Sequence, residues 1–275
     1  HWAKEQGFDY IFLHNQDGFL AASALEKIVA AMESDKTIGT AQALLLLYPE
    51  TNLVNSAGNA FHYLGLGYCQ SFRLPKDKLS IAPIETVNYA SGAALMLRGD
   101  LVRLHGGLDE PFFLYHEDLS YGLRMRSLGY KNVVVRDAVF YHKYQFSRSR
   151  LKFYYIERNR FGLMLIYFKP LTLLLLAPMA IIFEVGMLGF AIKEGWIQEK
   201  LAAYRYWLTP HHWKVWLGAR KIIQTNRTQS DSFILKDALS EILFDEKHVM
   251  NPVLRHIGNP LMKMYWILIK HLIWW

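Results

Sequence analysis

Four places in this chain put titratable or cationic side chains where chemistry can be done. In LHNQD (13–17), Asn15 and Asp17 alternate just past a short apolar run. Side chains two apart at a strand end point the same way, and open α/β sheets bind ligands beyond such ends. Their oxygens suit Mg²⁺ or Mn²⁺ shared with a diphosphate; the plainer reading is an Asx turn. In EPFFLYHEDLS (110–120), five apolar or aromatic residues lead into His116, Glu117 and Asp118. Carboxylates at a helix start gain about 0.3–1 kcal/mol from the helix dipole. The alternative is a general base at the edge of an aromatic-walled pocket, its proton affinity raised by burial. His142 ends an apolar run and is either a metal ligand or a satisfied structural histidine. Arg158 and Arg160, in ERNR (157–160), carry planar forks that suit phosphate oxygens, or they form a basic cuff beside a membrane.

The elements around these residues alternate strand and helix, which predicts an α/β layered domain. DYIFLHN (9–15) and IGTAQALLLL (38–47) read as buried strands. SALEKIVAAMES (23–34) reads as a helix with a Ser23–Glu26 capping box. Loops and small strands are expected over 48–85. A strand-like stretch follows over 85–100, broken at Ser91-Gly92, and then a short helix stopped by Gly106 and Gly107. A helix over 117–130 and a strand over 132–142 complete the pattern.

The 275 residues suit one large domain or a domain with an appendage, and 52% apolar content excludes a disordered chain. The single cysteine excludes an internal disulfide. Net charge is +7, all from the second half: residues 1–150 hold 15 Lys+Arg against 15 Asp+Glu, residues 151–275 hold 16 against 9. A basic half invites nucleic acid or an anionic membrane. The hydropathy decides for the membrane, and no nucleic-acid recognition motif is present. From Leu171 to Ile192 the one charge is Glu184, long enough to cross a bilayer. Pro178 can kink that segment, and Glu184 sits near its middle at an insertion cost of about 2.5–3.5 kcal/mol. Basic residues on both sides put both flanks in the cytoplasm, which predicts a re-entrant or in-plane helical hairpin rather than a single span. The tail NPLMKMYWILIKHLIWW (259–275) reads as an interfacial helix, with Trp266, Trp274 and Trp275 at headgroup depth, or as a helix packed on the protein's own core.

Taken together, YIFLHNQDGFLAASALEKIVAAMESD, NYASGAALMLRGDLVRLHGGLDEPFFLYHEDLSYGLRMRSLGY, VVVRDAVFYH and YYIERNR resemble the inverting glycosyltransferases of family two, rhamnosyltransferase-like branch. The resemblance covers roughly residues 1–165, with four motifs in order and at matching gaps. It implies a GT-A-like (Rossmann-like) mixed sheet flanked by helices and a nucleotide-diphosphate-sugar donor. By resemblance, Asp17 holds a divalent metal (Mg or Mn) with Asn15 beside it, and His142 matches a histidine often found at that strand end. Asp118, with Glu117 adjacent, matches the acid that deprotonates the acceptor hydroxyl. Ser91, Gly92 and Ala93 match a segment near donor and acceptor, and Arg158 and Arg160 a basic motif near the diphosphate. Gln16 stands where the family usually has Pro, and Ser120 where many members have an acid. The family's opening strand, which grips the nucleotide base, is not found before residue 1. The chain is therefore expected to begin inside its domain, with roughly 70 residues upstream in the intact protein, and to be inactive or weak alone.

The expected organisation is a partial GT-A catalytic domain over 1–160, a hydrophobic membrane helix or hairpin over 161–195, and a basic, helical, interfacial tail over 196–275. The expected activity is inverting hexosyl transfer to a glycan or lipid-linked acceptor in polysaccharide biosynthesis of the cell envelope, with the catalytic domain facing the cytoplasm. The competing reading is a non-catalytic membrane scaffold, derived from a transferase, that binds a sugar or a partner.

Overall fold

The computed structural model describes residues 2–144, 150–242 and 252–275. In chain order the helices and strands are α1 (Trp2–Glu5), β1 (Tyr10–His14), β2 (Gly18–Leu20), α2 (Ala24–Ser34), β3 (Ile38–Leu47), β4 (Val54–Ser56), β5 (Asn59–Phe61), β6 (Gly67–Cys69), β7 (Ile84–Val87), β8 (Ala94–Arg98), α3 (Gly99–His105), α4 (Glu117–Ser127), β9 (Lys131–His142), α5 (Leu151–Tyr167), α6 (Pro170–Lys193), α7 (Ile197–Leu208), α8 (Pro210–Asn226), α9 (Asp231–Leu235) and α10 (Asn259–Ile269). They fall into two compact units. The first holds His1–Ala60, Gly67–Glu110 and Glu117–Ser147; the second holds Phe61–Leu66, Pro111–His116 and Arg148–Trp275.

The first unit is built on a seven-stranded mixed sheet in the order β1-β8-β3-β9-β2, with β4 added to β3 and β7 to β9. β3 and β9 are parallel, and β8 runs antiparallel to both β1 and β3. The carboxyl ends of β1, β3 and β9 and the start of β8 therefore share one end of the sheet. β3 is buried along all ten residues, as its unbroken apolar run predicts. β8 shows why both faces need cover. Ala94 and Met96 pack with Ile28, Ala31 and Met32 of α2, while the alternate residues Leu95 and Leu97 pack with Leu101 and Val102 of α3 and Tyr121 and Met125 of α4. The mixed sheet flanked by helices agrees with the expected fold class.

The capping box does not form. Ser23 sits at φ 59°, in the left-handed region, and its side chain caps nothing. α3 ends as expected, at Gly106 with φ 86°. α4 stops at Ser127, just short of Gly129 with φ 88°.

The second unit is helical. α5 crosses the expected boundary at 160 without a break, and α6 ends at Lys193, close to the expected boundary at 195. α6 is one uninterrupted helix containing Pro178, so no hairpin forms within it. It is long and apolar enough to cross a membrane, and only 22% of its most apolar window is buried, far less than a core helix would show. Glu184 is not isolated. Arg160 of α5 and Lys200 of α7 both pair with it, both also pair with Glu157, and the Tyr204 hydroxyl donates to it at 2.7 Å. Two cations and two anions close a neutral buried cluster. Trp266, expected at headgroup depth, is 7% exposed and stacks on Tyr63 at 4.7 Å with the rings 6° from parallel. Trp275 turns its indole N–H to Thr172, and Trp274 remains exposed. The tail thus packs on its own unit along one side.

Removing one member of the buried cluster leaves uncompensated charge, which typically costs about 3–5 kcal/mol. Arg160→Ala is expected to lose that much in denaturant unfolding followed by tryptophan fluorescence, because seven of the eight tryptophans lie in this unit. Lys36→Ala, which breaks the exposed pair with Glu33, should leave the unfolding midpoint at the wild-type value.

Candidate functional site at the strand ends

The polar residues of the first unit converge on the sheet end defined above. Asn15 and Asp17 follow β1, His142 ends β9, and Ser91–Ala93 lead into β8. The 91–93 segment links them. The Asn15 amide donates to the Ala93 carbonyl at 3.0 Å. The Gly92 amide donates to Asp118 Oδ2 at 3.0 Å, and the Ser91 amide to Gln42 Oε1 at 2.6 Å. Asp118 also takes the Leu119 amide on Oδ1 at 2.7 Å. It therefore caps its own helix and anchors the neighbouring loop. Glu117 lies on the same side: its Oε1 is 3.8 Å from where a Gly92 side chain would begin.

His142 and Asp17 form the second part of the site. Nδ1 of His142 lies 2.8 Å from Asn55 Oδ1, so, with Asn55 oriented this way, Nδ1 carries the proton. Nε2 then turns its lone pair toward Asp17 Oδ1 at 3.2 Å, with the Asn15 amide group 3.4 Å away. Burial holds the imidazole's pKa below its ordinary value, against the pull of Asp17. A neutral nitrogen facing a carboxylate is unfavourable unless a proton or a cation lies between them. One imidazole, one carboxylate and an amide that can turn its oxygen inward make a donor set that suits Mn²⁺ or Mg²⁺. Among the described residues no three His, Cys, Asp or Glu side chains converge. A cation here would be only partly enclosed by the chain, which leaves coordination positions for water or phosphate.

The Glu117–Asp118 pair is electrostatically strained. Burial, and then the neighbouring Asp118 charge, push the Glu117 carboxyl up to about 8. Burial raises Asp118 too, opposed by the amides of Gly92 and Leu119. The Cys69 thiol nearby is pushed up to about 12, by burial and then by Asp118. Asp118, with two amides on its carboxylate, is the better placed of the pair to carry charge. Glu117 Oε2 is buried with no partner and is the better placed to keep a proton.

The aromatic run before these acids does not pack as a single wall. Pro111–His116 belongs to the helical unit, where Phe112 is fully buried against Trp216 while Phe113 is 75% exposed. Phe113, Tyr115 and His116 all have positive φ, a strained backbone for such side chains. Arg158 and Asn159 hold that backbone. Arg158 donates to the carbonyls of Pro111 and Phe112, and Asn159 to those of Phe112, Leu114 and Tyr115. Arg160 is buried in the ionic cluster. Neither guanidinium is free for a diphosphate, so the structure gives Arg158 and Arg160 scaffolding work in place of the expected binding role. Ser120, where an acid was the family's habit, is buried and donates to Asp109, which pairs with Arg124.

Sequence reasoning missed Asn55 and Gln42, which orient His142 and Ser91. The signal for Gln42 was a lone amide inside IGTAQALLLL; Asn55 had none beyond its polarity.

A carboxyl whose folded pKa is raised contributes stability that is complete below its ordinary value near 4.5 and lost as pH rises through about 8. Glu117→Gln stays neutral throughout. Its melting temperature relative to wild type should rise steadily from pH 5 to pH 9, because each pH unit between the two pKa values costs the wild type up to about 1.4 kcal/mol. Parallel melting curves across that range would exclude a buried, proton-holding Glu117.

No known protein-family profile matches the chain, and no curated protein matches it. Its fold is similar to the crystal structure of GalNAc-T7 with UDP, GalNAc and Mn²⁺, at a TM-score of 0.50 and 12% identity. The match covers 65% of this chain and 36% of that one, so the chain spans about a third of the neighbour's length. At this identity the likeness is one of fold.

Proposed function

We propose that this chain transfers a sugar from a nucleotide-diphosphate donor to a glycan or lipid-linked hydroxyl with inversion. The observation that carries the reading is the convergence, at one sheet end, of the Asp17–His142 pair with the Gly92-anchored Asp118. The similar fold of a transferase bound to UDP and Mn²⁺ supports it. In this reading Asp118 Oδ accepts the acceptor's hydroxyl proton as that oxygen attacks the anomeric carbon. The bond to the donor's diphosphate breaks on the opposite face, and the configuration inverts. Burial around Asp118 raises its proton affinity toward working pH, which is what a general base needs. Gly92 and Leu119 fix the carboxylate's position. Asp17 and His142 would hold a divalent cation, which would neutralise charge on the leaving diphosphate. Asn55 keeps His142 in the tautomer that leaves Nε2 available. Ser91 and Ala93 shape the floor between the two parts. The protein acts at the cytoplasmic side of a membrane, in building a cell-envelope polysaccharide or glycolipid.

A second reading is a scaffold that binds sugar or a partner without catalysis. It is favoured by one observation: both Asp118 oxygens already accept amide hydrogens. The two readings diverge in their response to substitution and to metal. Asp118→Asn should lower transfer by about 10²–10⁴-fold, the usual worth of a general base, with nucleotide affinity unchanged. Asp17→Ala, or removal of metal by chelation, should weaken nucleotide binding instead. Unchanged turnover in Asp118→Asn would contradict the assignment of the base. Nucleotide binding indifferent to Mn²⁺ would favour the scaffold.

A further inference from the structure

Between Lys169 and Lys193, α6 carries one charge, Glu184, and its one hydroxyl, Thr172, lies on the buried side. One stripe, Thr172, Leu176, Met179 and Phe183, is buried in the helical unit. The opposite stripe, Leu171, Leu174, Ile181, Val185 and Ile192, is exposed by 56–69% and carries no polar group. The segment from 253 to 272 repeats the arrangement. Met262, Trp266 and Ile269 face inward, while Val253, Ile257, Met264, Leu268 and Leu272 are exposed by 55–65%. The two segments are joined. The Tyr265 hydroxyl donates to the Leu175 carbonyl at 2.6 Å, and the Trp275 indole to Thr172 Oγ1 at 2.8 Å. Between them lies an apolar cavity of about 220 Å³, lined by residues that include Ile182, Gly186, Val253 and Ile257. Ile182, Val253 and Ile257 are themselves exposed, so the cavity opens onto the same apolar surface. A lining without polar side chains offers water no partners and suits hydrocarbon. Apolar exposure on this scale marks an interaction surface.

Charge identifies the partner. Lys169 and Lys193 bracket α6, and Arg255, Lys270 and His271 lie among the exposed residues of the second segment. Cations flanking an apolar stripe complement an anionic lipid surface. The buried cluster decides the orientation. Glu184 ties α6 to Arg160 of α5 and Lys200 of α7. A crossing α6 would drag α7, with Glu199 and Arg205, into hydrocarbon at about 2.5–3.5 kcal/mol for each charge. An α6 lying in the surface immerses only its exposed stripe. We infer that the helical unit docks on an anionic phospholipid bilayer through the exposed faces of α6 and residues 253–272, with α6 in the membrane plane and not across it. This rests on the membrane association proposed above and is independent of the transfer chemistry.

The full chain is mixed with preformed vesicles of equal phosphatidylglycerol and phosphatidylcholine, or of phosphatidylcholine alone, and floated. Binding should be about tenfold stronger to the anionic vesicles. The double variant Val185→Glu, Ile257→Glu should lower it by a further tenfold or more with an unchanged circular-dichroism melt, since both side chains are exposed. Single cysteines at Lys169→Cys and Glu194→Cys, in a Cys69→Ser background, should both react with an impermeant maleimide added outside. Binding with either cysteine protected would overturn the in-plane orientation while leaving membrane association intact. Equal binding to both vesicle types would overturn the anionic partner. A chain that binds neither, or that covers the face by dimerising, would overturn both the inference and the membrane reading beneath it.

Discussion

The hydrogen bond from the Gly92 amide to the Asp118 carboxylate is the contact on which the candidate site depends. Gly92 leads into β8, and its neighbour Ala93 holds the backbone of Asn15 at the end of β1. One three-residue segment thus fixes the start of α4 to the end of the sheet. Asp118 is 26 residues from Gly92 in sequence, and no local rule brings the two together. Charge-assisted bonds of this kind are about twice as strong as neutral ones. This one has a second consequence. By accommodating the charge on Asp118, the Gly92 and Leu119 amides leave the adjacent Glu117 as the carboxyl that keeps its proton.

The helical unit is organised by a different balance. Arg160, Lys200, Glu157 and Glu184 neutralise one another, so a helix apolar enough for a bilayer can carry an acid at its middle with its charge paired. Replacing such clusters with apolar residues is often neutral or stabilising, so this one is better explained by what it fixes than by what it contributes. It fixes which side of α6 faces the protein. The other side is left bare. In the same unit Arg158 and Asn159 spend their hydrogen-bonding capacity on five carbonyl contacts of the 111–115 backbone, which offsets the strain of three left-handed residues there.

The layered α/β class, the strands around β3 and β9 and the stop at Gly106 were legible in the sequence, because periodicity and glycine chemistry are local. Asp17, His142, Gly92 and Asp118 were legible as a group only through the order of their motifs, and the structure does bring them to one sheet end. The roles of Arg158 and Arg160 were not legible. A guanidinium fork binds carbonyl and carboxylate oxygens as readily as phosphate, and residue type alone does not choose among them. The capping box at Ser23 failed because the chain enters α2 through a left-handed turn, a preference that the Ser–Glu spacing does not encode. Trp266 was misplaced for a related reason: an amphipathic ring suits a headgroup layer or a stacking partner equally well, and Tyr63, some two hundred residues away, decided the matter.

The central claim is that Asp17 and His142 hold a divalent cation together with a nucleotide diphosphate. Electron paramagnetic resonance of Mn²⁺ bound to the protein in the presence of UDP addresses it directly. The account predicts hyperfine coupling to one directly bound imidazole nitrogen, lost in His142→Ala and kept in Asp118→Asn. A Mn²⁺–UDP signal without nitrogen coupling, or one unchanged in His142→Ala, would contradict it.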